Sequence, residues 1–263
     1  MTKVLAALDD SLAGTPVAAT AQALAKLFAA EVEAVHVHTN GGRTARSTAE
    51  AAGLPLRTLS GPVIEGLIEA GEAPDVVALV IGARGTPSGH RPLGSTAAAV
   101  AAALRKPIVI VPPEATGPKS FERILVPLEG SLSASLSPRW IFEVAAGTNV
   151  DVVALHIHDE RSIPAFTDQP QHESATWSHE FLRRYLPSGI GTVRLERRVG
   201  HTAEVLTRVA EEQGCDLIAL GWSQELAHGR APVVRGTLER SRLPVVLVPV
   251  RPIAEADEAN EPA

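Results

Sequence analysis

The chain repeats itself at the length of a whole domain. The segment KVLAALDDS at residues 3–11 returns as RILVPLEGS at residues 123–131, an offset of 120 residues. The segment AVHVH at residues 34–38 returns as ALHIH at residues 154–158 with the same offset. Solenoid repeats have periods of roughly 20–50 residues, so a repeat this long indicates two copies of one fold.

The repeat predicts how the 263 residues divide into domains. We expect a first domain at residues 1–114, a Pro- and Gly-containing linker at 115–120 and a second domain at 121–250. Each domain is long enough to bury a hydrophobic core of its own. The remaining residues, 251–263, are acidic and contain proline, and they predict a disordered tail.

Composition narrows the class of protein. A net charge of −6 argues against a nucleic-acid partner, because binding phosphate backbones needs a basic face. No apolar run reaches the ~20 residues of a membrane helix, and a strand predicted from Lys3 onward leaves no room for a signal peptide. The single cysteine, Cys215, excludes an internal disulfide and is interpreted as a small buried side chain. We therefore predict a cytoplasmic protein with no membrane contact.

Strand and helix patterns alternate along the first copy. Strands are predicted at residues 3–8, 32–37, 54–59, 76–81 and 107–111, and helices at 15–30, 63–70 and 95–104. This alternation is typical of a parallel sheet with helices on both faces. The second copy continues the pattern with about 19 extra residues between His158 and Val193. Trp177, Phe181 and Tyr185 in that insert predict an amphipathic helix that packs on its domain, with a protein-interaction patch as the alternative.

A glycine-rich loop, GARGTPSGHRPLGST at residues 82–96, lies between a predicted strand and a predicted helix. Free backbone N–H groups of such a loop and of the helix start can bind an anion, and Ser95 or Thr96 can add a hydroxyl. Asp9, at the end of the first strand, is placed to accept hydrogen bonds from a base or ribose at the same sheet edge. The alternative interpretation is a surface loop without a ligand.

Other chemistries have weaker support. Ser95 stands where a P-loop would need its lysine, so the standard hydrolytic machinery is missing. No serine has the GxSxG surroundings of a nucleophile elbow. His36 and His38 share a strand face, as do His156 and His158, but neither pair has a third ligand placed by the sequence. We predict no catalytic residue and no metal site, and structural or ligand-edge roles for these histidines.

The motifs together resemble the universal stress protein (UspA-like) family over nearly the whole chain. The turns Asp9-Asp10-Ser11 and Glu129-Gly130-Ser131 resemble that family's turn after strand one. ATP-binding members carry Gly-x2-Gly-x9-Gly-Ser/Thr, and the first copy has this pattern one residue short. The segments PIVIV and PVVLV resemble the family's last strand.

The resemblance implies two Rossmann-like (adenine nucleotide alpha hydrolase-like) α/β domains. Each would be a five-stranded parallel sheet of order 3-2-1-4-5 with helices on both faces. It implies an ATP-binding sensor or regulatory module in stress response, with or without Mg²⁺, and no or very slow hydrolysis. The alternatives are a nucleotide-free interaction scaffold and a slow ATP hydrolase. By resemblance the adenosine is held by Asp9 and Val37, and the phosphates by Gly82, Gly85, Gly94, Ser95 and Thr96.

The second copy departs from the nucleotide motif. Gln224 replaces the second glycine, Trp222 and Glu225 add bulk and negative charge, and Ala231-Pro232 stand where the first copy has Gly94-Ser95. Each change removes a donor or narrows the loop, which argues against ATP binding in the second copy and leaves open whether it binds another ligand.

The last strands also predict an assembly. In the order 3-2-1-4-5, strand five is an apolar sheet edge that needs a cover. The resemblance implies antiparallel pairing of PIVIV with PVVLV across a pseudo-two-fold axis. We expect this intramolecular pseudo-dimer within one chain and leave a homodimer open.

Overall fold

The computed structural model describes residues 1–11, 13–38, 42–84, 93–128, 136–158, 170–183, 186, 193–225 and 231–250. Within these residues each half of the chain holds five strands and four helices. The first half comprises β1 (Lys3–Ala7), α1 (Gly14–Phe28), β2 (Glu31–Val37), α2 (Arg43–Ala51), β3 (Leu56–Leu59), α3 (Val63–Glu72), β4 (Val76–Gly82), α4 (Ser95–Ala103) and β5 (Ile108–Val111).

The second half repeats this order of elements. It comprises β6 (Arg123–Pro127), α5 (Leu136–Ala146), β7 (Asp151–His158), α6 (Pro170–Arg183), β8 (Arg194–Val199), α7 (Thr202–Glu212), β9 (Leu217–Trp222), α8 (Pro232–Arg240) and β10 (Val245–Pro249). The predicted strands and helices of the first half are present, with ends that shift by one or two residues. The predicted domain boundaries and the tail remain predictions.

All ten strands form one sheet, in the order β3-β2-β1-β4-β5-β10-β9-β6-β7-β8. Within each half the neighbours pair in parallel and the strands follow the order 3-2-1-4-5. The predicted fold class is therefore confirmed. Parallel neighbours need crossover connections, and the helices supply them on both faces of the sheet.

The two halves join through their last strands. β5 and β10 pair antiparallel, with Val109 opposite Val246 and Ile110 opposite Val245. Val109 and Val246 are at most 1% exposed, so each apolar edge is covered by the other. This confirms the predicted pairing of PIVIV with PVVLV. Because the pairing is antiparallel, the carboxyl ends of the two sets of parallel strands open at opposite edges of the common sheet.

The core consists of aliphatic side chains on both faces of the sheet. One face packs α1, α2 and α5 against alternate strand residues such as Val4 and Val80. The opposite face packs α3, α4, α7 and α8 against the residues between them, such as Leu5 and Leu79. Successive residues of each strand point to opposite faces of the sheet, and helices bury both faces.

Helix α6 lies in the predicted insert, and its aromatic side chains pack on its own half. Trp177 and Phe181 stack with ring centroids 5.0 Å apart, and Phe181 lies 4.6 Å from the ring of His156. The guanidinium of Arg197 lies 5.8 Å from the Trp177 ring. The amphipathic-helix interpretation is confirmed for these residues, whereas Tyr185 lies outside the described residues.

None of the helices in the described parts of the chain has the length and apolar character needed to cross a bilayer.

Candidate functional site

A cavity of about 360 Å³ opens at the carboxyl ends of β1, β2 and β4, in the first half. Its size suits a small-molecule ligand, since such pockets measure roughly 300–1,000 Å³. The location also matches the crevice at which open parallel sheets bind ligands. Six of the seven predicted site residues line it: Asp9, Val37, Gly82, Gly94, Ser95 and Thr96. The seventh, Gly85, lies outside the described residues.

The amino end of α4 supplies hydrogen-bond donors to this cavity. The N-cap residue is Gly94, and no side chain among the described residues caps the helix. The first backbone N–H groups of a helix have no partner within it, so those of Ser95, Thr96 and Ala97 are left free. These residues line the cavity, and the helix dipole adds partial positive charge there. The arrangement can bind an anion.

Gly94 is needed because the backbone passes close to the end of β4. Its N–H donates to the carbonyl of Ala83 at 2.9 Å, which ties the start of α4 to the strand. A Cβ at this position would lie 3.1 Å from the same carbonyl oxygen. A larger residue would therefore push the start of α4 away from the strand end.

Asp9 also lines the cavity, just after β1. Its Oδ1 accepts hydrogen bonds from the backbone N–H of Ser11 at 3.0 Å and from the Ser11 hydroxyl at 2.5 Å. The hydroxyl oxygen of Ser11 in turn accepts the N–H of Ala13 at 3.2 Å. Within the described residues no group donates to Oδ2 of Asp9. The carboxylate is thus oriented by its own turn and keeps one oxygen for a ligand.

The backbone of Val37 contributes an acceptor at the same end. The N–H of His38 donates to Leu59 O on β3 at 2.9 Å. In a trans peptide the carbonyl of the preceding residue points the opposite way, so the carbonyl of Val37 points toward β1 and the cavity. An amino group of a ligand can donate to it.

Asp10, which was not among the predicted site residues, holds α2 in place. Its carboxylate accepts the backbone N–H groups of Gly42 at 2.6 Å, Thr44 at 2.9 Å and Ala45 at 3.1 Å. These bonds, led by that from Gly42, lower the pKa of Asp10. Asp10 therefore caps α2 from more than 30 residues away. The sequence analysis assigned no helix between β2 and β3, and α2 corrects that omission.

The strand histidines have structural roles. Nδ1 of His36 lies 2.8 Å from Leu8 O, and Nδ1 of His156 lies 2.8 Å from Leu128 O. A carbonyl oxygen can only accept, so Nδ1 carries the proton in both rings. Each ring thereby ties the end of one strand to its neighbour. Gly42, with φ of +94°, passes so close to His36 that a Cβ would lie 3.0 Å from Nε2.

Metal binding by these histidines gains no support. Among the described residues, no cluster of three or more His, Cys, Asp or Glu side chains could hold a metal ion. His38 is exposed, and the side chain of His158 lies outside the described residues.

Arg84 is a second site residue that the sequence analysis missed. It follows β4 and lines the cavity beside Gly94, and it is the one cationic side chain among the described lining residues. Its Nη2 donates to both carboxylate oxygens of Glu114, at 2.8 and 2.9 Å. Within the described parts of the chain, the buried Nε has no hydrogen-bond partner. The cavity lining thus has acidic groups, Asp9 and Asp10, after β1, and a cation with the helix donors after β4.

The second half lacks several of these features. Ala231 is the N-cap of α8, and Pro232 at its first turn has no N–H to donate, as the sequence predicted. Trp222, only 3% exposed, stands where the first half has the small Ala83. Gln224 has φ of +61°, and its Nε2 donates to Leu104 O in the first half at 2.6 Å. This loop therefore contacts the other half of the chain, whereas residues 226–230 lie outside the described residues.

The fold is a tandem α/β arrangement with a crevice at the carboxyl ends of β1, β2 and β4. The model of the universal stress protein family matches residues 120–249, so the second half of the chain is a domain of that family. The first half repeats the same strand order.

Solved structures show the same fold over both halves. A universal stress protein from Archaeoglobus fulgidus DSM 4304 is 17% identical with a TM-score of 0.68, and the match covers 95% of this chain and 98% of that chain. A functionally unknown protein from Pseudomonas aeruginosa PAO1 is 12% identical with a TM-score of 0.64, covering 95% and 93%. At these identities the likeness concerns the fold. No curated protein matches the sequence.

Proposed function

We propose that the first half binds an adenine nucleotide, ATP in particular, and that the protein acts as a nucleotide-dependent sensor or regulatory module of the stress response in the cytoplasm. The observation that carries this proposal is the cavity of about 360 Å³ that joins free helix donors to an oriented carboxylate. The cavity has the size, the anion-binding end and the acceptor end that a nucleotide requires.

The acceptor end suits adenosine. The free Oδ2 of Asp9 is available to a ribose hydroxyl, and the carbonyl of Val37 is available to the exocyclic amino group of adenine. A guanine base presents a carbonyl oxygen at that position, which would face the carbonyl of Val37 with no proton between them. The proposal therefore includes a preference for ATP over GTP.

The donor end suits the phosphates. Gly82 and Gly94 keep the backbone open, and the N–H groups of Ser95 and Thr96 with their hydroxyls face the cavity. Gly85 completes the proposed set by the motif. Mg²⁺, where present, would be held mainly by phosphate oxygens and water, because Mg²⁺ usually keeps several waters when it binds with a nucleotide.

Slow or absent hydrolysis is part of the proposal. The chain lacks the lysine of a P-loop, and the acidic residues that line the cavity, Asp9 and Asp10, already serve turns and a helix start. The interaction-scaffold alternative rested on the aromatic insert, and Trp177 and Phe181 make internal contacts with each other and with His156.

Two measurements test the proposal. Mass spectrometry of denatured protein should detect co-purified adenine nucleotide, and isothermal titration should show about one ATP bound per chain, in preference to GTP. The titration should be run with and without Mg²⁺, together with an assay for ADP release. A wild-type protein that binds neither ATP nor adenosine would overturn the proposed function.

A matched pair of variants tests where the phosphates bind. Gly94→Val should abolish ATP binding, because its side chain would press on the Ala83 carbonyl 3.1 Å from the new Cβ. Gly147→Ala is the control, since its Cβ would approach nothing closer than Val144 O at 3.8 Å. Circular dichroism checks that both variants fold. Wild-type affinity in Gly94→Val would show that the phosphates lie elsewhere.

A further inference from the structure

The ion pair between Arg84 and Glu114 has a more buried cation than the other described ion pairs of the first half. The Arg84 side chain is 14% exposed and that of Glu114 is 32% exposed. The pair Arg57–Glu33, in contrast, has an arginine that is 44% exposed. Arg84 is therefore a largely desolvated cation placed on the wall of a cavity.

The guanidinium of Arg84 is incompletely satisfied. An arginine has five N–H donors, and the bonds to Glu114 described here come from Nη2. Nε is buried and has no partner among the residues that the structure describes. Buried polar groups are nearly always hydrogen-bonded, so an unpartnered donor on a charged group needs an explanation. An anion that took the place of Glu114 at the guanidinium would offer further acceptor oxygens to this group.

The position of Arg84 is suited to such an anion. Its Cα would lie 3.9 Å from a Cβ on Gly94, which is the N-cap of α4. The side chain thus starts beside the free N–H groups of Ser95 and Thr96. Planar guanidinium groups bind phosphate oxygens in a bidentate manner, which a backbone N–H cannot do alone.

Glu114 connects this cation to the segment between the two halves. It lies directly after β5, in a turn closed by a hydrogen bond from Ala115 N to Pro112 O at 3.0 Å. The same segment continues along α1, where Lys26 Nζ donates to Lys119 O at 2.8 Å. A carboxylate and a phosphate compete for one guanidinium, so the pairing of Arg84 with Glu114 opposes phosphate binding.

We propose that Arg84 is a phosphate-binding residue that makes the site prefer nucleotides with phosphates over adenosine, and that Glu114 weakens this binding by competing for the guanidinium. The proposal rests on the proposed nucleotide function and names a side chain at one of the two unspecified positions between Gly82 and Gly85. The second half has Ser223 at the equivalent position, so the cation belongs to the first half alone.

Titration of ATP and adenosine into wild-type protein and four variants tests the proposal. Arg84→Ala should weaken ATP binding at least tenfold, because a charge-assisted hydrogen bond is lost. It should leave adenosine binding within twofold of wild type. Glu114→Gln should strengthen ATP binding several-fold with adenosine unchanged. In the double variant, the gain from Glu114→Gln should disappear, because it acts through Arg84. Arg57→Ala, which removes an arginine remote from the cavity, should change neither affinity.

The outcomes separate the inference from the function it rests on. If wild-type protein binds ATP and Arg84→Ala binds it within twofold as well, the role of Arg84 is wrong while the nucleotide function stands. If Arg84→Ala does not fold, Arg84→Lys keeps the charge and loses the planar fork, and it should give an intermediate ATP affinity. Wild-type ATP affinity in Arg84→Lys, with adenosine binding reduced, would equally overturn the proposal.

Discussion

The antiparallel contact between β5 and β10 can be measured as a coupling energy between two valines. Val109 and Val246 lie directly opposite each other, on the same face of the sheet. One belongs to the first half of the chain and the other to the second. Substituting each by alanine, alone and together, gives a double-mutant cycle across the junction.

The magnitudes follow from burial. Each substitution removes two methyl groups from a side chain that is at most 1% exposed. At about 0.8 kcal/mol per methylene-sized group plus a cavity term, each should lower the free energy of unfolding by roughly 1.5–3 kcal/mol. The double variant should lose about 0.5–1 kcal/mol less than the sum, because the two side chains contact each other. Val109→Lys should destabilise more, since it buries a charge.

Urea unfolding followed by two signals makes the experiment decisive. All three tryptophans, Trp140, Trp177 and Trp222, lie in the second half, whereas far-UV circular dichroism reports both halves. Val109→Ala is in the first half, yet it should lower the urea midpoint of the tryptophan signal together with that of the dichroism signal. Two results would show that the halves do not share this junction. One is a double variant whose loss of unfolding free energy equals the sum of the single losses. The other is a tryptophan unfolding midpoint that Val109→Ala leaves unchanged.

Three further predictions concern single side chains. Asp9→Ala should weaken ATP affinity at least tenfold in titration without lowering the melting temperature appreciably, since charge-assisted hydrogen bonds contribute roughly 1.5–3 kcal/mol each; an unchanged affinity would leave Asp9 as a turn residue only. Burial raises the pKa of the Cys215 thiol to about 11, so at pH 8 about one thiol in a thousand is ionised. A disulfide reagent should therefore label native protein at least 100-fold more slowly than denatured protein. Rapid labelling of native protein would contradict this burial. Gln224→Ala should lower the free energy of unfolding by about 1–2 kcal/mol, because the hydrogen bond to Leu104 O is lost. Gln224→Gly should lower it less, because glycine tolerates a φ of +61°. Equal losses of unfolding free energy in the two variants would exclude backbone strain at this position.

The strands and helices of the first half could be predicted because local patterns carry them, whereas the strand order and the pairing of the last strands were implied by the family resemblance. The repeated apolar runs, the alternation with helices and the proline before each last strand are visible within a few residues of each other. The resemblance then supplied the order of the strands, and the structure has that order. The cavity lining was predictable for the same reason, since the ends of parallel strands meet at one edge. The binding roles of those lining residues remain predictions.

Features that depend on contacts between distant residues could not be predicted. Helix α2 has the sequence RTARSTAEA, with only Ala45 and Ala49 buried, and its start is held by Asp10. Neither the weak apolar stripe nor a cap more than 30 residues away is visible in a local pattern. The pairing of Arg84 with Glu114 spans 30 residues in the same way. In each case tertiary structure supplies what local propensity lacks.

The joining of β5 to β10 within one chain has a consequence for stoichiometry. In a symmetric homodimer of a single domain, every substitution in a ligand loop appears at both sites at once. Here the two loops are encoded separately but held in one sheet, so Ala231-Pro232 and Gln224 alter one loop and leave the other intact. Each molecule therefore carries one loop of each kind in fixed proportion. A partner that binds this protein would therefore contact an asymmetric molecule in every copy, whereas a homodimer would present two equivalent surfaces.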